Sequence, residues 1–533
     1  MDTTYAIADP SMPHAGFAMT SDGVIRILTD EGATAGLARE LALFVRPGDC
    51  LAISGDLGSG KTALARALIQ ALSPQGDSLE VPSPTFTLVQ TYDARIPVAH
   101  FDFYRLNDAT ELAETGFDEF AESHVTLVEW ADRLPGELPD DRLEIALEVA
   151  GTGRRARLFG HGAWTGKLAR MEAVRNFLLS TQWADARRLH LNGDASIRRY
   201  ERLVAGEGRT AVLMDMPARP DGPAIRNGRS YSAIAHLAED CSAVVAVNAG
   251  LRDAGLSAPE LYAADLKQGF LIIEDFGDEL YGRMLADGED VSEAMAAAVD
   301  LLAYVAERDW PAAIPLPDGT DHRIARYDDD AVSVEVSLLP DWFWPLVKGE
   351  AIPRGLRDAF EAAWAQALPA AHTDASVWML RDYHSPNLVW LPERSGIERV
   401  GLLDVQDCVF GHPAYDLASL LQDARVDIAA ALASSMFKRY CATRQSSPRF
   451  DRAGFEAAYA VLGAQRATKI LGIFARLSRR DGKHQYLRHL PRVSRTLEAN
   501  LAHPALAPVR QWFDRHLPLN AREAAVQRLL RTK

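Results

Sequence analysis

The run Gly55-Asp56-Leu57-Gly58-Ser59-Gly60-Lys61-Thr62 has the spacing of a loop that wraps phosphates. Glycines 55, 58 and 60 let the backbone close around an anion, Lys61 supplies a point charge for β- and γ-phosphates, and the Thr62 hydroxyl suits Mg²⁺. The flanks agree. Cys50-Leu51-Ala52-Ile53 reads as a buried strand, and Ala63 to Leu68 as the first turns of a helix whose N-terminal N–H groups face the anion. This stretch is predicted to bind a nucleoside triphosphate, ATP, with Mg²⁺. A second constellation lies far downstream: Arg381-Asp382-Tyr383-His384-Ser385-Pro386-Asn387, then apolar Leu388 to Leu391, a turn, and Val400-Gly401-Leu402-Leu403-Asp404. Phosphoryl transfer needs two oxygen ligands on a metal and a separate carboxylate facing the acceptor. Asn387 and Asp404 suit the first role and Asp382 the second. A polar turn between strands would explain the same residues without chemistry.

Three further clusters follow the phosphate loop. Ser83-Pro84-Thr85-Phe86 offers hydroxyls for sensing a γ-phosphate or orienting water, although a proline-containing strand entry accounts for it equally. His100 to Arg105 alternates polar and aromatic residues, which on a strand places His100, Asp102 and Tyr104 on one face. Asp is disfavoured in strands, so Asp102 needs a reason to be there. Leu127-Val128-Glu129-Trp130 ends an apolar run with a carboxylate, as where an acid at a strand end holds Mg²⁺ or its water.

These residues need a scaffold, and the patterning supplies one. A helix is predicted over Thr34–Phe44, with strands over Thr85–Val89, Pro97–Phe103, Val125–Val128, Leu143–Val149 and Arg155–Phe159. Such alternation after a phosphate loop predicts an α/β domain, residues 23–162, with a mainly parallel sheet. Residues 1–22 read as a disordered leader and 163–167 as a linker. The pattern then changes: a helix over Lys167–Leu179, strands over Thr210–Met214 and Gly269–Glu274, and a helix over Tyr231–Ala249. Beyond Val291 apolar residues repeat at helical spacing, as in Ala294–Ala306, Arg354–Leu368 and Phe455–Leu477. That order predicts a two-lobed α+β domain, 168–533. Its small mixed lobe (about 168–276) meets a helical lobe (about 277–533) at Glu274-Asp275-Phe276.

Composition narrows the function classes. Length of 533 residues suggests two or three domains. Hydrophobic content of 48% with 24% charged residues describes an ordinary globular chain. No run approaches the ~18 apolar residues of a membrane span, and the N-terminus lacks a secretory pattern. Cys50, Cys241, Cys408 and Cys441 form no CxxC pair, which argues against a zinc site or disulfide framework and fits a reducing cytoplasm. A net charge of −16 disfavours indiscriminate nucleic-acid binding, so any RNA chemistry needs a partner to hold the RNA.

Over Ile25 to Gly162 the chain resembles the ATPase of bacterial tRNA threonylcarbamoyladenosine biosynthesis (the TsaE type), through G-D-L-G-S-G-K-T, S-P-T-F, H-F-D-F-Y-R-L and V-E-W. The resemblance implies an ATPase that works with two protein subunits of the threonylcarbamoyl-transfer complex on adenosine 37 of tRNA, reached indirectly through them. It further implies that Lys61 and Thr62 serve phosphates and Mg²⁺, Glu129 the metal, Asp102 hydrolysis and Trp130 the nucleotide site.

From Leu168 to Leu517 the chain resembles the aminoglycoside-phosphotransferase branch of the kinase-like fold. G-D-A-S-I-R-R-Y, E-D-F-G-D, R-D-Y-H-S-P-N-L and L-L-D-V-Q-D with Tyr415-Asp416-Leu417 look most like anomeric kinases of N-acetylmuramate and N-acetylglucosamine. An amino sugar is then the implied substrate and a sugar 1-phosphate the product. The loop Gly193–Ser196 either covers the phosphates, with Ser196 and Arg198 as nucleotide contacts, or is a plain hairpin turn, since it lacks the repeated glycines of protein kinases; Asp416 is a structural acid bracing the catalytic loop. Two departures stand out. Antibiotic kinases carry His before the loop's Gly-Asp, whereas Leu380-Arg381 precede Asp382 here. The strand Thr210–Met214 lacks the usual Lys, leaving Arg198, Arg199 and Lys267 as candidate replacements. An aminoglycoside or amino-alcohol kinase and a degenerate scaffold remain the alternatives for this second domain.

Overall fold

The computed structural model describes residues 23–191, 198–218, 222–371 and 376–531; the expected leader and the Gly193–Ser196 loop lie outside them. The chain divides into two compact units that meet between Asp215 and Met216.

The first unit opens with β1 (Val24–Leu28), α1 (Glu31–Phe44), β2 (Cys50–Ser54), α2 (Lys61–Leu72), β3 (Val89–Tyr92), β4 (Val98–Asp102), α3 (Ala109–Ala113), α4 (Phe117–Ser123), β5 (Val125–Glu129), β6 (Arg142–Ala150) and β7 (Gly153–Gly160). The strands form one sheet in the order β1-β7-β6-β2-β5-β4-β3. Its centre is parallel, β2 pairing with β5 and β6 and β4 with β5. The outer pairs are antiparallel. Every residue of β4 and β5 is buried, as expected of strands covered on both faces. In β6 buried and accessible residues alternate instead. The α/β expectation therefore holds, with parallel pairing confined to the centre.

Three predicted elements of the first unit differ from the structure. The strand expected from Thr85 begins only at Val89. Leu88, at φ +66°, donates its N–H to the Pro84 carbonyl at 2.7 Å and closes a turn. The strand expected through Phe103 stops at Asp102, whose Oδ1 accepts the Tyr104 N–H at 2.9 Å and caps a short helical turn. Tyr104 thus leaves the strand face it was expected to share with His100 and Asp102. The third is the supposed linker 163–167, which forms the first turns of α5 (Ala163–Leu179). Asp141 accepts the Ala163 N–H at 2.8 Å, and Trp164, Leu168 and Met171 are buried along the helix. Its start therefore has both a cap and a core contact.

After α5 comes an antiparallel meander of β8 (Arg187–Leu191), β9 (Arg199–Val204) and β10 (Thr210–Asp215). Arg188 of β8 pairs with Glu201 of β9 at 2.7 Å. Arg170 of α5 and Arg199 both bind the Asp215 carboxylate. The break between compact units follows β10, so these strands, assigned from sequence to the small lobe, group with the first unit.

In the second unit an antiparallel hairpin, Leu261–Asp265 with Phe270–Glu274, leads through Gly277 (φ +82°) into the helix Tyr281–Asp287, the joint expected from the sequence. Helices then dominate, the longest spanning Arg452–Asp481. Gly472 lets that helix close on its neighbour, because a Cβ there would lie 2.4 Å from the Leu338 backbone carbon. The single helix expected over Tyr231–Ala249 is two helices, Tyr231–Ala235 and Ser242–Asp253. Side chains from the catalytic segment capture the intervening backbone: Arg381 donates to the Ala235 carbonyl at 2.8 Å, and Asp407 accepts the Ala238 N–H at 2.8 Å. Among the described residues no helix is long and apolar enough to cross a membrane.

Candidate active sites

The first site is built at the C-terminal end of the central strands. The phosphate loop turns from β2 into α2 with Gly55, Gly58 and Gly60 at φ +136°, +78° and +102°, conformations that side-chain-bearing residues rarely adopt. A Cβ on Gly55 would also meet the Leu147 carbonyl oxygen at 2.3 Å. Lys61 opens α2 and donates back across the loop to the Gly55 and Asp56 carbonyls, at 2.8 and 3.0 Å. Its ammonium lies 3.5 Å from the centre of the Trp130 ring. Burial lowers its pKa, against the opposing pull of Glu129 and neighbouring carboxylates.

Thr62 donates its hydroxyl to Glu129 Oε2 at 2.8 Å, and His100 Nε2 lies 2.9 Å from Glu129 Oε1. Strand register explains the grouping, since Asp102 of β4 sits opposite Glu129 of β5, at the ends of two parallel strands. Asp102 is in turn held by hydroxyls: Thr85 donates to its Oδ2 at 2.8 Å and Ser83 at 3.3 Å. The S-P-T-F turn therefore meets the Asp102 carboxylate, although it is not a strand. Trp130 takes φ +57°, and its ring packs 4.9 Å from Tyr104.

Sequence reasoning missed Arg154. From β7 it donates to the Ser59 and Gly58 carbonyls at 3.0 and 3.1 Å, bracing the loop from outside. No local motif marks it; only the antiparallel return of β7 brings it there.

The second site lies where Val377–Met379 ends. Asp382, His384 and Asn387 are tied in a tight loop: the Asp382 N–H donates to the Leu380 carbonyl at 2.7 Å, and Asn387 Nδ2 donates to the Asp382 carbonyl at 3.1 Å. The Leu403 N–H donates to the Asn387 carbonyl at 2.9 Å, which joins this loop to the segment ending in Asp404, at φ +59°. Gln406 donates to Asp404 Oδ1 at 3.1 Å. Asp416 accepts the Leu380 and Arg381 N–H groups at 2.7 and 2.9 Å, the bracing role expected of it. Burial nonetheless raises its pKa to about 7. Asp382 itself is held below the usual carboxylate range: burial opposes its ionisation, and His384, Lys469 and Arg381 outweigh that.

Arg381 accounts for one departure from the antibiotic-kinase pattern. It stands at φ +63°, where Gly would be unstrained. Its guanidinium is buried against Glu335, which also takes Lys469 at 2.8 Å, Tyr327 at 2.5 Å and Gln465 at 2.9 Å. Despite burial, Lys469 and Arg381 lower the Glu335 pKa to about 2. The ion network offsets the backbone strain. Arg381→Met is expected to cost about 3 kcal/mol, read by denaturant unfolding; a loss below about 1 kcal/mol would show that the network does not hold the loop.

Of the candidates for the missing strand Lys, Arg199 is committed to Asp215 at 2.6 Å and lies 3.5 Å from the Phe44 ring centre. Lys267 is exposed in the turn between Asp265 and Phe270. Arg198 is half-buried directly before β9, whereas Ser196 lies outside the described residues. Among the described residues no cluster of three or more His, Cys, Asp or Glu side chains suits a metal by itself.

Comparison with known proteins separates the same two parts. A family profile described as threonylcarbamoyl adenosine biosynthesis protein TsaE matches residues 28–157, and one described as the phosphotransferase enzyme family matches 188–456. An N-acetylmuramate/N-acetylglucosamine kinase of Caulobacter vibrioides is 40% identical over 355 residues, 65% of this chain and 96% of the relative. Its namesake in Pseudomonas putida is 32% identical over 308 residues, 56% of this chain and 79% of that protein. The tRNA threonylcarbamoyladenosine biosynthesis protein TsaE of Bacillus subtilis is 39% identical over 128 residues, 24% of this chain and 78% of that protein. The two constellations thus fall in separately matched segments, and the chain belongs to the TsaE family through the first and to the N-acetylmuramate/N-acetylglucosamine kinases of the phosphotransferase enzyme family through the second.

Proposed function

We propose that this chain is a bifunctional cytoplasmic enzyme with two independent Mg-ATP sites. Its P-loop domain, residues 23–162, hydrolyses ATP for threonylcarbamoylation of adenosine 37 in tRNA, together with two partner proteins that hold the tRNA. Its kinase domain, 168–533, transfers the γ-phosphoryl group of ATP to the anomeric hydroxyl of N-acetylmuramate or N-acetylglucosamine, a step of cell-wall recycling. The observation that carries this reading is the pairing of Thr62 with Glu129 in one unit and the Asp382, Asn387 and Asp404 set in the other.

In the first site Gly55 to Thr62 cradle the phosphates, Thr62 and Glu129 hold Mg²⁺, and His100 orients Glu129. Asp102, fixed by Thr85 and Ser83, accepts a proton from the attacking water, and Trp130 covers the nucleotide. In the second site Asn387 and Asp404 would hold Mg²⁺, which would supply charge neutralisation for phosphoryl transfer. Asp382 takes the proton of the sugar hydroxyl. Intact placement of Asp382, Asn387 and Asp404 favours an active kinase over a scaffold.

The test is phosphate transfer by the full chain to amino sugars, aminoglycosides and amino alcohols, beside complementation of a strain lacking its TsaE protein. Transfer confined to aminoglycosides or choline-like acceptors would replace the sugar assignment, and failed complementation despite good expression would remove the tRNA assignment. Asp404→Ala is expected to weaken Mg-ATP binding and turnover together, since a metal ligand is lost. Unchanged nucleotide affinity, measured by titration, would take Asp404 off the metal.

A further inference from the structure

A small recess opens beside the catalytic loop, lined by Gln422, Gly463, Arg466, Ile470 and Thr496 among others. Its position follows from Asp423, which stands between the lining residues Gln422 and Ala424 and accepts the Ser385 N–H of the catalytic loop at 3.0 Å. The recess admits about one water-sized group, so it takes the polar tip of one acceptor substituent rather than the acceptor itself.

Arg466 stands out in its wall. The side chain comes from the helix Arg452–Asp481 and is only 7% exposed, yet among the described residues no hydrogen bond or ion pair engages its guanidinium. The nearby buried carboxylate of Glu335 is already taken by Arg381, Lys469, Tyr327 and Gln465. Gln422 is committed to Asn500, at 2.8 and 3.1 Å, and the recess lining contains no acid. A buried cation without a partner is costly, and its five donors match a carboxylate in a two-pronged geometry.

We infer that Arg466 binds a carboxylate carried by the acceptor, so that this recess distinguishes an acidic amino sugar from a neutral one. The inference rests on the acceptor class proposed above. N-acetylmuramate is N-acetylglucosamine with a lactyl ether, so the two sugars differ by this carboxylate. Arg466 is, with Lys469 and Arg381, among the cations that counter burial at Asp382, which places the recess in the electrostatic neighbourhood of the proposed proton acceptor.

The test uses the full chain and compares kcat/KM for N-acetylmuramate and N-acetylglucosamine in the wild type, Arg466→Met and Arg466→Lys. In Arg466→Met the ratio of the two values should fall about 10- to 100-fold, the usual worth of a charge-assisted contact, chiefly through KM for N-acetylmuramate. Arg466→Lys should recover part of the ratio. A role in folding, or one exerted only through the charge on Asp382, would lower both sugars alike. An unchanged ratio therefore overturns the inference, as does a wild type that phosphorylates N-acetylglucosamine but not N-acetylmuramate. A wild type active on neither sugar overturns the acceptor class and the inference with it.

Discussion

Asp382→Asn should reduce sugar phosphorylation by roughly 10²–10⁴, the usual worth of a positioned general base, while Mg-ATP affinity stays close to that of the wild type. The geometry separates the two effects. Asn387 is held by the main-chain carbonyl of residue 382, not by its side chain, so the amide substitution leaves that metal ligand in place. What disappears is the carboxylate that receives the hydroxyl proton. The pH profile follows with its sign. Burial works against the charge on Asp382, but His384, Lys469 and Arg381 hold its pKa below the ordinary carboxylate value. The base is thus ionised throughout the neutral range, and kcat should show no acid limb from it between about pH 6 and 8. Near-normal turnover of Asp382→Asn on every acceptor tried would show that another group takes the proton.

Lys61→Ala should lower ATP hydrolysis by the first domain at least about 10²-fold, by analogy with removal of one charge-stabilising donor, and leave sugar phosphorylation nearly intact. Lys61 reaches back to the Gly55 and Asp56 carbonyls at the start of the glycine turn and lies over Trp130, so its loss removes a phosphate contact and also loosens the loop. Arg154 still grips Gly58 and Ser59 from outside, which favours a folded variant. Loss of both activities in a variant that remains folded would refute independent sites.

Much of this was legible in the chain because the chemistry is local. Gly55 to Thr62 and Asp382 to Asn387 are contiguous, and their flanking apolar runs, Cys50–Ile53 and Leu388–Trp390, declare the strands that aim them. Glu129 was readable as an acid closing a strand, and Asp416 as a brace. The errors arose where a side chain competes with backbone periodicity. Asp102 caps a turn and ends its strand early, Asp141 caps what reads as a linker, and Arg381 and Asp407 bind the backbone where a single helix was expected over Tyr231–Ala249. Arg154 and Arg466 were illegible for a different reason. Each is placed by residues distant in sequence: strand pairing brings Arg154 to the phosphate loop, and helix packing sets Arg466 in the recess wall beside Gln422. No spacing rule finds such partners.

The central claim is that one chain carries two Mg-ATP sites that do not depend on each other. Calorimetric titration of the full chain with a non-hydrolysable ATP analogue and Mg²⁺ tests it most directly. The account predicts two equivalents bound by the wild type and one each by Lys61→Ala and Asp404→Ala, with the remaining site at its wild-type affinity. A single equivalent in the wild type, or loss of both sites in either folded variant, would contradict it.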